Sequence, residues 1–169
     1  MTKLYLVRHG ETVDNAARIM QGQTHGELND AGIAQASHLA DEFKDIPFDA
    51  IISSDLKRAV DTARIIARPH SMAIETTTLL RERDWGDFTG RFIPDLKDLP
   101  FPENVETLDQ LLKRASSFLA WIKENYDGKS VLAVGHGIIN KAVQAVYHGK
   151  PMQEIPKMAN AECVVLTLQ

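Results

Sequence analysis

The chain has 169 residues, 44% of them hydrophobic and 25% charged, which fits one globular domain over residues 1–169 with a continuous core and leaves no room for two independent ones. A formal charge of −4 excludes a nucleic-acid surface, which needs a basic face to release counterions from phosphates, so any anion site must be local. A single cysteine, Cys163, excludes an internal disulfide and a cysteine-based metal cluster; with no leader-like run in residues 1–7 and no stretch near the ~18 apolar residues of a membrane span, the expected compartment is the cytoplasm.

Residues 4–7 (LYLV) form the first expected strand, and it ends in Arg8, His9 and Gly10. Two nitrogen-rich side chains thus stand at a strand's carboxyl end, where open parallel sheets keep their ligand crevices. Residues 13–27 are polar and broken by Gly22 and Gly26, a loop over that strand end that opens on a short helical turn. Asn29 or Asp30 caps a helix to about residue 44, with Ile33, Ala36, Ala40 and Phe43 on one face. A second strand follows at residues 50–53. Ser53, Ser54 or Asp55 then caps a helix to about residue 67, closed by Pro69, with Ala59, Ala63, Ile66 and Ala67 inward. Arg58 falls in or near its first turn, where a cation opposes the helix macrodipole by up to ~1 kcal/mol, so a partner anion is expected.

A third strand is expected over residues 74–80, with Glu82 just past its end. Residues 91–104 carry Pro94, Pro100 and Pro102 and read as an irregular connection, either a small lid or a linker. The next helix, about 107–126, lays Leu108, Leu111, Ala115, Phe118, Leu119 and Ile122 along an apolar stripe. Residues 131–137 (VLAVGHG) then repeat the opening phrase, an apolar strand delivering His136 and Gly137. A helix over 138–148 stops at Gly149, and a last strand spans 162–168, free to pair either way. Alternating strands and helices of these lengths predict an α/β fold, a three-layer α/β/α sandwich with a mostly parallel sheet.

Arg8, His9, Asn15, Arg58, Glu82 and His136 therefore gather at strand ends or helix starts, together with the backbone N–H groups that follow Gly137 into a helix. Guanidiniums match phosphate oxygens and a helix amino terminus stabilises an anion further, so the set describes a phosphate pocket. In such a pocket one imidazole can attack phosphorus, the other imidazole and the arginines stabilise the equatorial oxygens, and a carboxylic acid protonates the leaving oxygen. That scheme requires no metal.

RHGET with Asn15, Arg18 and the following QG resembles the opening of the histidine phosphatase superfamily, branch 1, the phosphoglycerate mutase-like proteins. SSDLKRAVDTA is similar to that family's second arginine motif, LRERDWGDFTG to its acid motif, ENVETLDQLLKR to its later helix and VGHG to its second-histidine motif, in the family's order. The resemblance implies a mostly parallel sheet with one antiparallel strand, and no metal or organic cofactor. It implies His9 as the phosphorylated nucleophile, Arg8, Arg58 and His136 as phosphate ligands, and Glu82 as proton donor and later base. Asn15, Gln21, Gly22 and Gly137 would line the substrate pocket. Asp14, His25 and Thr89 depart from the residues frequent in the family at their positions, all outside the phosphate set.

The expected activity is hydrolysis of a small phosphomonoester. The family's mutases carry a longer basic insertion where this chain has the short 91–104 connection, and a shorter lid admits water to a phosphoenzyme. Two alternatives stay open: a mutase-type phosphotransferase, and a phosphate-binding regulatory protein without turnover. No HxH or HExxH spacing marks a metal site, and six residues beyond Cys163 there is Gln169 where a cysteine phosphatase needs arginine. Glu82 could instead be an ion-pair partner of Arg81 or Arg83. The partner expected is a small phosphate ester, with no nucleic acid or membrane; oligomeric state is left open.

Overall fold

Strands buried on both faces carry apolar runs, and the three central strands do: β1 (Thr2–Arg8), β2 (Ala50–Ser54) and β4 (Ser130–Gly135) hold Leu4, Leu6, Val7, Ile51, Ile52 and Val131 to Val134 fully buried. The computed structural model, which describes residues 1–169, places them in a five-stranded sheet of order β3-β2-β4-β1-β5. The short edge strand β3 (Ile74–Thr77) is parallel to β2, and β5 (Cys163–Leu168) is antiparallel to β1. The other pairs are parallel.

Two helix pairs cover the sheet. On one face α2 (Asp30–Phe43) and α3 (Lys57–Ala67) bury Leu39, Phe43, Ala59, Ala63 and Ile66 against Val7, Ile51 and Val134. On the other, α4 (Leu108–Asn125) and α5 (Gly137–His148) bury Leu111, Phe118, Ile122, Ile139 and Val143 against Leu4, Leu6 and Ala133. Burying each large apolar side chain contributes about 2 kcal/mol. A short helix α1 (Val13–Ala17) stands apart over the strand ends, with a capping box between Thr12 and Asn15. No helix is long and apolar enough to cross a membrane.

The expected elements shift in four places. Ile33 and Leu108, placed on the apolar faces of their helices, lie in the first turns and are 45% and 47% exposed. The third strand ends at Thr77 and residues 78–80 form a 3₁₀ turn, since the Thr77 hydroxyl accepts from Leu79 N and ends the ladder. Helix α3 takes no side-chain cap from Ser53, Ser54 or Asp55; Leu56 precedes it, and His25 Nδ1, from a distant loop, accepts Lys57 N instead. The connection 91–104 contains a 3₁₀ turn at Ile93–Leu96 and is hydrogen-bonded to the loop opposite it.

Candidate active site

The parallel register between β1 and β4 pairs Arg8 with Gly135, so both chains leave the sheet at one level, and His9 N donates to Gly135 O at 3.1 Å. The two imidazoles meet edge to face, ring centroids 5.0 Å apart, and both are buried. Glycine beside each histidine is a requirement of close approach. A Cβ on Gly10 would lie 2.5 Å from the carbonyl oxygen of Gly32 in α2, and one on Gly135 would lie 2.2 Å from Asn140 Oδ1. Asn140 uses that space to donate from Nδ2 to Val7 O at 3.0 Å, tying α5 to the end of β1.

His9 Nδ1 lies 2.7 Å from Gly10 O. A carbonyl only accepts, so Nδ1 carries the ring proton and Nε2 keeps its lone pair. Burial first, and then the guanidiniums of Arg58 and Arg8, push the His9 pKa down to about 3, against the weaker upward pull of Gly10 O. His136 is held well below the usual imidazole range for the same reasons. Both rings are neutral at pH 7.

Arg58 is 1% exposed. Its Nη2 donates to Gly22 O at 2.8 Å and its Nη1 to Thr24 O, and its backbone N–H reaches His25 O, so the loop of residues 22–25 is laced to α3 by the cation that lies beneath it. Burial lowers its pKa to about 10, leaving it cationic at neutral pH. Gly22, at φ +51°, turns this loop in the left-handed region. Buried Gln21 accepts from the Thr12 hydroxyl at 2.9 Å, and Asn15 Oδ1 accepts from Thr12 N and from Asn160 Nδ2. Arg8 donates from Nη1 to Met158 O at 2.7 Å. Three buried nitrogens of this cluster have no partner in the protein: Nε of Arg8, Nε of Arg58 and Nδ1 of His136.

Glu82 occupies the amino terminus of α5. Its Oε2 accepts Ile138 N at 3.1 Å, while Oε1 accepts Ile139 N at 3.0 Å and Arg83 N at 2.9 Å. The expected anion site on that helix end is therefore narrowed to the N–H of Gly137, for Glu82 takes the next two. Glu82 pairs with neither neighbouring arginine: Arg81 forms a bidentate pair with Asp55 at 2.7 and 2.6 Å, and Arg83 reaches Glu106 O and lies over the Trp85 ring. Arg114 of α4 fixes the segment from behind, donating to Leu79 O and Arg81 O while it pairs with Glu106.

A cavity of about 550 Å³ opens over this cluster. Arg8, His9, Asn15, Gln21, Gly22, Arg58, Glu82 and Gly137 line it, so the structure brings together every residue singled out by sequence except one at its wall. His136 lies beneath, at 0% exposure, behind His9. Residues 90–93 bond to 18–20 through Met20 N to Arg91 O, Gly90 N to Met20 O and Ile93 N to Arg18 O, at 2.7–2.8 Å, and Arg18, Ile19, Met20 and Ile93 line the cavity. His25 is not at the rim. Sequence reasoning missed Ser54, which bonds His136 Nε2, Thr62, whose hydroxyl accepts Gly10 N, and Asn160, which donates to His9 O. Asn140 alone left a signal, a polar side chain on the buried side of an amphipathic helix.

Residues 4–169 match the family model described as histidine phosphatase superfamily (branch 1). The chain is 36% identical over 166 residues to the uncharacterized phosphatase PhoE of Bacillus subtilis (strain 168), covering 95% of this chain and 86% of that one. It is 34% identical over 171 residues to the probable phosphoglycerate mutase GpmB of Yersinia pestis (strain Pestoides F), covering 99% and 75%. Among solved structures, YhfR of Bacillus stearothermophilus superposes with a TM-score of 0.94 at 26% identity, over 100% of this chain and 92% of that one.

Proposed function

The chain belongs to the histidine phosphatase superfamily, branch 1, and we propose that within it this protein is a phosphomonoesterase that acts through a phosphohistidine on a small phosphorylated metabolite. The observation that carries the reading is that Nε of Arg8, Nε of Arg58 and Nδ1 of His136 are buried with no partner in the protein while His9 Nε2 keeps its lone pair. Leaving three such nitrogens buried and unpaired costs about 1–3 kcal/mol each unless an acceptor-rich anion satisfies them. A phosphoryl group offers three oxygens to three nitrogens.

His9 Nε2 attacks phosphorus as the bond to the alcohol oxygen breaks, and Glu82 gives that oxygen a proton. Its Oε2 accepts one N–H where Oε1 accepts two, which leaves Oε2 the freer oxygen for that transfer. Glu82 then takes a proton from water, the water oxygen attacks phosphorus, the N–P bond breaks and inorganic phosphate leaves. Arg8, Arg58, His136 and Gly137 N–H hold the equatorial oxygens throughout.

Hydrolysis is favoured over transfer because the connection 91–104 is short and Lys157 and Arg18, which line the cavity, are exposed to water. Release of inorganic phosphate from a panel of phosphomonoesters, with and without chelator, tests the reading. Chelator-resistant release that is abolished in His9→Ala is expected. Interconversion of phosphoglycerate isomers faster than hydrolysis would instead mark a phosphotransferase, and stoichiometric phosphate binding without turnover a regulatory protein.

A further inference from the structure

We propose that Ser54 is a positioning residue that fixes the tautomer of His136, so that Nδ1 carries the proton and faces the phosphoryl group as a donor. Ser54 is the last residue of β2, its neighbour strand β4 delivers His136, and both side chains are fully buried. Ser54 Oγ lies 2.8 Å from His136 Nε2. The same oxygen accepts Leu56 N at 3.2 Å. A backbone N–H can only donate, so it takes an oxygen lone pair and leaves the hydroxyl proton to be placed; Nε2 is the one acceptor in contact with it. The hydroxyl therefore donates to Nε2, Nε2 is the unprotonated nitrogen, and the ring proton falls on Nδ1, the atom with no partner in the protein.

The pair of imidazoles is thus set in complementary ways. Gly10 O accepts from His9 Nδ1 and frees a lone pair on Nε2 for attack, whereas Ser54 donates to His136 Nε2 and presents an N–H. Both rings stay neutral, and one is a nucleophile while the other is a donor. The opposite tautomer of His136 would turn a lone pair toward phosphate oxygens and repel them. This consequence for catalysis rests on the hydrolytic reading above; the tautomer does not.

The test uses the full chain labelled with ¹⁵N at histidine, alone and with vanadate as a phosphate mimic. Wild type is expected to show His136 unprotonated at Nε2 and protonated at Nδ1. Ser54→Ala is expected to lose that preference and bind vanadate at least tenfold more weakly, with kcat/KM falling alongside, and Ser54→Thr, which keeps the hydroxyl, to recover to within about threefold. A His136 that carries its proton on Nε2 in the wild type would overturn the proposal, as would a Ser54→Ala variant with unaltered tautomer and vanadate affinity. If Ser54→Ala does not fold, the wild-type spectrum and Ser54→Thr still decide. Absence of vanadate binding to wild type would count against the hydrolytic reading while leaving the tautomer measurement to stand.

Discussion

Glu82 caps α5 from a loop that lies outside it in sequence, its carboxylate receiving the N–H groups of Ile138 and Ile139 at 3.1 and 3.0 Å. The carboxylate thus occupies the positive end of α5 and leaves the N–H of Gly137 for the phosphoryl group of the proposed substrate.

Glu82→Gln keeps one acceptor oxygen for Ile139 N, turns its NH2 toward Ile138 N, and carries no transferable proton. Its fold should survive, and its kcat/KM on an alkyl phosphate should fall about a hundredfold or more. On p-nitrophenyl phosphate, whose leaving group departs without a proton, the loss should be much smaller. Equal losses on both esters, in steady-state assays, would remove Glu82 from the proton-donor role.

The buried neutral histidines predict a pH dependence of stability. His9 has a folded pKa of about 3 against an ordinary value of 6.5, so its contribution is whole above pH 6.5 and is lost as the pH falls toward 3, because the unfolded chain gains the proton first. At pH 5 the loss from His9 is about 2 kcal/mol, from 1.36 kcal/mol per unit, and His136 acts in the same direction. Urea unfolding of wild type and His9→Asn at pH 7 and pH 5 should show the variant gaining about that much relative to wild type. A pH-independent difference would contradict the assignment.

Gly10→Ala should destabilise the protein by about 3 kcal/mol, since the added Cβ would meet a backbone oxygen at 2.5 Å that no side-chain rotation can move. Thermal unfolding reads this directly. The substitution also tilts His9, so activity should fall further than the lost stability explains.

Arg114→Ala removes a cation that is 17% exposed beside a Glu106 that is 12% exposed, and frees the carbonyls of Leu79 and Arg81. Breaking a buried pair by deleting one partner costs about 3 kcal/mol. Activity should drop with stability because the same contacts hold the Glu82 segment. Arg114→Lys, which cannot reach Glu106 and two carbonyls at once, should recover little of either.

Much of this site was legible in the chain because it is built on strand ends. Two apolar runs, each closed by histidine and glycine, were enough to expect a histidine at the end of each of two strands, and the helices and sandwich layers followed from periodicity; that the two strands are neighbours is shown by the sheet order. What could not be read was the traffic between distant segments. The α3 amino terminus is served by His25 from 32 positions away, a relation no local cap signal encodes. Ser54 looked like a cap for α3 and instead bonds both Leu56 N and His136 Nε2, and the segment 90–93 is held by backbone bonds to 18–20 that leave no mark on side-chain identity. The glycine of each histidine motif was visible, but its cause, the approach of Gly32 and of Asn140, lies in packing.

The claim that organises the rest is that His9 Nε2 becomes covalently bonded to phosphorus. Rapid acid quenching during turnover of a ³²P-labelled ester, followed by peptide mapping, measures it most directly. Label on the peptide containing His9, stable to base and labile to acid, and absent from His9→Ala, is the predicted result. Turnover with no labelled protein at any time, together with undiminished hydrolysis by His9→Ala, would contradict it.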